Sequence, residues 1–474
     1  MRGCSGWLRY GLLGLVELIL FSGFTAWRRE TEVPLLPALP QDPLIQVYFN
    51  QAQSARYADS YRQQLRLGDD LEQVVIEAIQ SAHSSIDIAV QELNLPGIAL
   101  ALAERHRAGV SVRLILENRY SRSPSRLSSS DVAQLDQREQ QKYQEWLRLV
   151  DTNQDGQLAA AELASRDALT ILQAAQVPLI DDTADGSKGS GLMHHKAVVI
   201  DRQTVILGSA NFTLSDMHGD FRFPESRGNA NHLLRIHSPA LAQHLLQEFD
   251  LMWGDGPGRQ ANSRFGLQKP YRSPHSLTLA PNSTITVQFS PTSTRFPWSQ
   301  SVNGLIAKTL QQASHYVHMA LFVFSEQHIS NVLEARHRQG VRIRALIDAQ
   351  FIHRDYSEAL DMLGVALANQ QCRAEKENRP WSAPITSVGV PSLAAGDLLH
   401  HKFAVIDDHT VITGSHNWSA AANHTNDEML IVIRNATVAA HFQREFDRLY
   451  QDARLGISAS LQEKLQQQQL RCQS

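Results

Sequence analysis

Met193-His194-His195-Lys196-Ala197-Val198-Val199-Ile200-Asp201, closed by Gly208-Ser209-Ala210-Asn211, returns later in the chain as His400-His401-Lys402-Phe403-Ala404-Val405-Ile406-Asp407, closed by Gly414-Ser415-His416-Asn417. Both copies read H-x-K-x4-D-x6-G-S-x-N without a gap. In each, an apolar, β-branched run follows the lysine and a second one precedes the glycine, which predicts a β-hairpin. If Arg202-Gln203 and Asp408-His409 are two-residue loops, Lys196 faces Ser209, His194 faces Asn211, Lys402 faces Ser415 and His400 faces Asn417. Residues two apart in a strand share a face. An imidazole, an ammonium, a hydroxyl and an amide therefore gather on one surface, while His195 and His401 point to the other face and pack. Asp201 and Asp407 fall at the turns, as structural partners of the motif.

The repeat extends beyond the motif. Strands are expected over 44–50, 86–90 and 110–116, with helices over 69–83 and 98–107. The same order returns as strands over 285–289, 317–322 and 341–348 and a helix over 303–314. Glu104-Arg105-His106-Arg107-Ala108-Gly109-Val110 is echoed by Ala335-Arg336-His337-Arg338-Gln339-Gly340-Val341. Strands alternating with helices indicate an α/β layered fold, here present as two similar lobes. At 474 residues the chain is long enough for both. A composition of 43% hydrophobic and 19% charged residues is that of a globular protein, and a net charge of -4 argues against a broad, nonspecific nucleic-acid binder.

Gly109 and Gly340 lie 231 positions apart but His194 and His400 only 206, so the first copy holds about 25 extra residues. The insert, about 140–175, is legible. Residues 151–162 fit the twelve-residue calcium loop of an EF-hand: Asp151, Asn153 and Asp155 at positions 1, 3 and 5, Gly156 at the turn, the Gln157 carbonyl at 7, Glu162 at 12. Such loops usually work in pairs and this one stands alone, so a low-affinity Ca2+ site, structural or regulatory, is expected; a calcium-rich compartment suits it.

Residues 1–27 read as a signal peptide or N-terminal membrane anchor: Arg2 and Arg9 precede an apolar run from Tyr10 to Trp27 broken only by Glu17. Either reading makes the protein membrane-anchored or secreted, with the catalytic part extracytoplasmic. Residues 28–43, carrying four prolines, read as a stiff spacer. The remaining boundaries are repeat one over 44–256, a basic, Gly- and Pro-rich solvated linker over 257–282, repeat two over 283–452, and a Gln-rich tail over 453–474. Cys372 and Cys472 either pair in an oxidising compartment or remain thiols.

A lone strand histidine is ordinarily a core residue, but that account leaves two matched copies unexplained. A zinc site lacks a third matched ligand, and the nearby lysines repel a cation. A phosphate cradle fits better: Lys196 and Lys402 for charge, Ser209, Asn211, Ser415 and Asn417 for hydrogen bonds. Two such clusters facing each other supply two imidazoles, one to attack phosphorus and one to protonate the leaving oxygen.

With these residues in place, the chain resembles the phospholipase D superfamily, named for its His-Lys-Asp motif, over roughly 44–452. Phe289-Ser290-Pro291 and Glu428 strengthen the resemblance. It implies two α/β lobes, each a mixed sheet flanked by helices, related by a pseudo-twofold with one site between them. It also implies a catalytic set of His194, Lys196, Asp201, His400, Lys402, Asp407 and Glu428, a phosphohistidine intermediate, and no metal in catalysis. His194 is then the nucleophile, His400 the general acid, and Glu428 the acidic residue that orients a histidine. Aligning 229–236 with 426–433 sets Asn231 opposite Glu428, so the copies are not equivalent. The implied reaction is hydrolysis of a phospholipid head-group phosphodiester at a membrane surface. The alternatives are an extracytoplasmic nuclease acting on DNA or RNA and a cardiolipin-synthase-like phosphatidyl transferase. With both motifs in one chain, a monomer is expected.

Overall fold

The computed structural model describes residues 34–472 apart from Ser190 and Lys376. The signal or anchor expected over 1–27 lies outside the described residues. Among the described residues no helix is long and apolar enough to cross a membrane.

Lobe one is built on strands β1 (Ile45–Phe49), β2 (Ser85–Val90), β3 (Ser111–Leu116), β4 (Leu179–Asp181), β5 (Lys196–Ile200), β6 (Thr204–Gly208) and β7 (His232–His237). They lie in the order β1-β7-β6-β5-β2-β3-β4. Lobe two contains β8 (His275–Ala280), β9 (Ser283–Ser290), β10 (Tyr316–Leu321), β11 (Arg342–Ile347), β12 (Val388–Val390), β13 (Lys402–Ile406), β14 (Thr410–Gly414), β15 (Glu428–Arg434) and β16 (Arg454–Leu455). Their order is β8-β9-β15-β14-β13-β10-β11-β12-β16. Apart from one added strand at each edge, the second sheet repeats the first. Directions match as well: β2 with β3 and β10 with β11 are parallel, whereas each motif hairpin is antiparallel.

The motif strands β5 and β13 are buried along their whole length. Val198 and Ile200 face the outer core of lobe one, and Ala197 and Val199 face a core shared by both lobes. That shared core holds Phe49, Val205 and Ile236 of lobe one together with Phe403, Val405 and Phe442 of lobe two. Strands buried on both faces read as continuous apolar runs, which is why the motif carries so few polar residues between lysine and aspartate.

The hairpin register differs from the two-residue expectation. Ile200 pairs with Thr204 and Ile406 with Thr410, so each loop holds three residues, and Lys196 stands opposite Gly208 rather than Ser209. Asp201 and Arg202 (φ 49° and 56°) and Asp407 and Asp408 (φ 48° and 59°) take the left-handed conformation that lengthens the turn. Aspartate tolerates this region because its short side chain bonds locally. Asp201 accepts from the amides of His83, Ser84 and Ser85 at 2.7–2.9 Å, and Asp407 from those of Ser314, His315 and Tyr316. Both aspartates therefore anchor the start of the neighbouring strand at the end of the hairpin away from the histidines. They belong to the motif's scaffold rather than to the set that meets substrate.

Three connecting segments also depart from expectation. The chain joining the lobes is solvated along most of its length but docks at Ser263, Phe265 and Gly266, which are buried. Lys269 is buried there and ion-paired with Glu248 and with Asp427 at 2.6 Å, and His275–Ala280 adds an edge strand to sheet two. The tail forms the helix Ala459–Cys472, tied to the body by the Cys372–Cys472 disulfide. Residues 34–43 of the spacer lie against lobe two, where Arg444 and His441 donate to the Pro37 and Pro40 carbonyls. The contacts that hold them, Lys269–Asp427, Cys372–Cys472 and Arg444–Pro37, join residues 100 or more positions apart, beyond the reach of local pattern.

Burial alone would raise the Asp201 carboxyl; the Ser85, His83 and Ser84 amides instead hold it at about 2. Its stabilisation is therefore complete above the ordinary carboxylate value of about 3.9 and is lost as pH falls through about 2. Asp201→Ala hands those partly exposed amides to water and should lower unfolding free energy by roughly 0.5–1.5 kcal/mol at neutral pH. Urea denaturation measures the loss, and a wild-type midpoint would contradict the anchoring role.

Candidate active site

Each motif strand begins by bonding the opposite lobe. The His194 amide donates to the Asp427 carbonyl at 2.9 Å, and the His400 amide to the Ala230 carbonyl at 3.1 Å. These bonds set the two histidines beside the segments that open β15 and β7, and the side chains then pair across the interface. His194 Nδ1 lies 2.7 Å from Glu428 Oε2; His400 Nδ1 lies 3.0 Å from Asn231 Oδ1. The sequence showed Glu428 and Asn231 to be counterparts. It did not show that each serves the histidine of the other repeat, because an exchange across a pseudo-twofold leaves no trace in spacing.

The partners fix the tautomers. A carboxylate only accepts, so His194 carries its proton on Nδ1 and presents Nε2. Asn231 Nδ2 donates to the Asp216 carbonyl at 3.1 Å, which turns Oδ1 toward the imidazole, so His400 is also protonated on Nδ1. Ser415 donates to Glu428 at 2.9 Å and Ser209 to Asn231 at 2.8 Å. The two serines thus hold the orienting groups, one step back from the phosphate contact expected of them. Asn211 and Asn417 are half-buried, and the Oδ1 of each has no protein partner among the described residues.

Lys196 and Lys402 are 1% exposed and donate to the carbonyls of their own motif histidines, His194 and His400, at 3.1 and 2.6 Å. Burial pulls the Lys196 ammonium down to about 8, against the opposing pull of Glu428 and Asp216. Burial lowers both imidazoles and both lysines deepen this at each, but Glu428 opposes it at His194 whereas no carboxylate does so at His400. Although burial works the other way, His194 holds the Glu428 carboxyl down at about 2. The arrangement is a buried cationic cleft with two free imidazole nitrogens of unequal basicity.

His195 and His401 pack on the reverse face, His401 Nε2 3.0 Å from Glu445 and His195 Nε2 3.8 Å from Glu248. Several residues near the site carry no motif signal. Asp216 accepts from the Asn211 amide and stands 3.8 Å from His400, and Phe322 meets the His400 ring edge-on at 4.8 Å. His416, fully buried with neither ring nitrogen partnered among the described residues, is held at about 4 by burial against the pull of Glu428. Asp151, Asn153, Asp155, Gln157 and Glu162, expected from the sequence to form a calcium loop, lie in the helical insert, apart from this cleft.

The chain matches the family described as "Cardiolipin synthase, PLD-like domain" over residues 75–253 and 306–450, which take in both motifs. It is 27% identical over 158 residues to the mitochondrial cardiolipin hydrolase of Xenopus tropicalis, covering 33% of this chain and 64% of that protein. The chain thus spans slightly less than two thirds of that relative's length. It is 25% identical over 157 residues to a phospholipase D of Rickettsia typhi, covering 33% and 67%. The solved phosphatidylserine synthase of Haemophilus influenzae superposes with a TM-score of 0.54 at 12% identity, covering 95% of this chain and 98% of that one, a likeness of fold.

Because Glu428 raises the proton affinity of His194, Glu428→Gln should move the His194 titration to lower pH and leave that of His400 nearly in place. Nitrogen-15 NMR of the two rings resolves this, and equal shifts at both would contradict the crossed pairing.

Proposed function

The chain belongs to the phospholipase D-like domain family, and from that membership and the crossed pairs we propose that its two lobes form one phosphodiesterase site. The carrying observation is the His194–Glu428 pair facing His400–Asn231 between two buried lysines. His194 Nε2 attacks phosphorus and the bond to the leaving oxygen breaks, while that oxygen takes a proton from His400 Nε2. Water then attacks the phosphohistidine, gives its proton to His400, and frees His194 and the product phosphomonoester. Glu428 stabilises the positive charge that His194 acquires on attack; an amide does this less well, which favours His194 over His400 as nucleophile. Burial leaves His400 weakly basic, and the incoming phosphate anion restores its proton by Coulomb attraction. Burial and Lys196 pull the Lys402 ammonium well down, and the phosphate anion opposes this. With substrate bound, Lys196 and Lys402 therefore balance the phosphoryl charge while Asn211 and Asn417 supply hydrogen bonds, and the route draws on no metal.

A phospholipid head-group diester is the proposed substrate. The names of the curated relatives support it, and so does a cavity of about 310 Å³ beside Glu92. Leu93, Leu127, Leu135 and Trp146 line that cavity with four cations, Arg119 and Arg122 among them, and four carboxylates, so it offers an apolar floor with a polar rim of both signs, which suits an amphiphile. The Cys372–Cys472 disulfide supports an oxidising, extracytoplasmic setting. The site is complete within one chain, which supports a monomer as the working unit.

Incubation with mixed liposomes should release head group, whereas plasmid and single-stranded DNA should remain intact; DNA cleavage without lipid hydrolysis overturns the substrate. His194→Ala and His400→Ala should each lower kcat by about 100-fold or more. Of the two, only the His400 variant should still accumulate an acid-labile phosphohistidine.

The Lys196 ammonium is present below about pH 8 and is lost as pH rises through that value. A falling alkaline limb in kcat/KM is expected there, moved upward by Lys196→Arg, which keeps its charge. A limb unmoved by that substitution would assign it to another group.

A further inference from the structure

The proposed reaction makes no use of the insert between β3 and β4. The insert is helical, and the helix Gln137–Val150 ends on Asp151 as its C-cap, while Ala160–Arg166 leaves the loop. Asp151 is 7% exposed. Its Oδ2 accepts from the Gly156 amide at 3.0 Å, which places the carboxyl inside the turn. Its Oδ1 is buried and has no partner among the described residues. A buried carboxylate oxygen without a donor is costly, and a cation is the group that satisfies it. Gly156 adopts φ +76°, and the chain turns there so that Asn153, Asp155 and the Gln157 carbonyl follow one another around the same loop. Glu162 already lies against the opening of the loop, with Oε1 accepting from Thr152 and Asn153 and Oε2 from Ala159.

The entering helix also reaches the catalytic lobe. Lys142 pairs with Glu92 and donates to the Tyr120 hydroxyl at 3.0 Å. Glu92 directly follows Gln91, whose Oε1 stands 3.5 Å from Lys196 Nζ. Glu145, one turn further along the helix, has a buried Oε1 with no partner among the described residues. One rigid helix therefore joins the loop to the wall of the cleft.

We propose that residues 151–162 bind Ca2+ through Asp151, Asn153, Asp155, the Gln157 carbonyl and Glu162, and that the ion fixes the Gln137–Val150 helix against the catalytic lobe. Among the described residues no three His, Cys, Asp or Glu side chains are already gathered around one point, this loop included. The ion therefore draws Glu162 away from its amides, and Ala159, at the ninth position, offers no side-chain oxygen. Both features weaken binding, toward a Kd of about 10⁻⁴ to 10⁻³ M, the range of extracellular calcium modules.

Calorimetric titration of the full chain with CaCl2 tests the site. Wild type should bind one ion in that range, and Asp155→Asn and Glu162→Gln should each weaken binding tenfold or more. Asp155 is exposed, so its variant keeps the fold even if Glu162→Gln, which alters the cap of the exit helix, does not. No binding by wild type up to about 10 mM, or equal binding by wild type and Asp155→Asn, overturns the site. Amide hydrogen exchange tests the coupling: Ca2+ should slow exchange across Gln137–Val150 in wild type and not in Asp155→Asn. Binding that leaves this helix unchanged overturns the coupling.

Discussion

The hydrogen bond from His194 to Glu428 is the constraint on which the rest of the molecule turns. Its two ends lie 234 residues apart, one in each lobe. Holding them at 2.7 Å requires the sheets to be fixed relative to each other to within a fraction of an ångström. Three features provide this. Backbone bridges join Met193 to Asp427 and Ala230 to Leu399, the shared apolar core fills the space between the sheets, and the buried Lys269 ties the connecting segment to Asp427. None of these belongs to one lobe alone, so neither lobe carries a usable half of the site.

The two crossed pairs are alike in geometry and opposite in electrostatics. Burial and both lysines lower each imidazole; a carboxylate beside His194 offsets part of this, whereas a neutral amide beside His400 leaves it in place. Ser415 and Ser209 complete the same hydrogen-bond pattern on each side, so the difference comes down to Glu428 against Asn231. Two imidazoles held alike but of unequal basicity are what a two-step displacement needs, because one must carry positive charge while the other moves a proton.

Much of this was legible in the sequence. The continuous apolar runs located both strands of each motif hairpin, and the repeated spacing announced two lobes with the same order of elements along the chain. The hairpin register was missed by one residue, because a two-residue loop was assumed where left-handed Asp201 and Asp407 lengthen the turn. That slip is why Ser209 and Ser415 were read as facing their lysines. Past Gly208 the chain leaves its pairing with β5, and Ser209 bonds the start of β7 instead. The basic segment between the lobes looked solvated because Lys269 was counted as a charge without Glu248 and Asp427 in view. The pairing of the tail was left open because its anchor, Cys372, lies 100 residues earlier. Local pattern fixes local structure; contacts between distant segments enter only with the fold.

The covalent joining of the two lobes has a further consequence. A symmetric dimer of a single lobe obeys an identity rule: any residue that serves one histidine must also serve the other, and any insert appears twice. Within one chain that rule lapses. Position 231 can hold an amide while position 428 holds a carboxylate, and one lobe can carry a helical insert that the other lacks. Joining the repeats therefore turns a symmetric pocket into one with a distinguishable left and right. Each side can then change by substitution without imposing the same change on its counterpart.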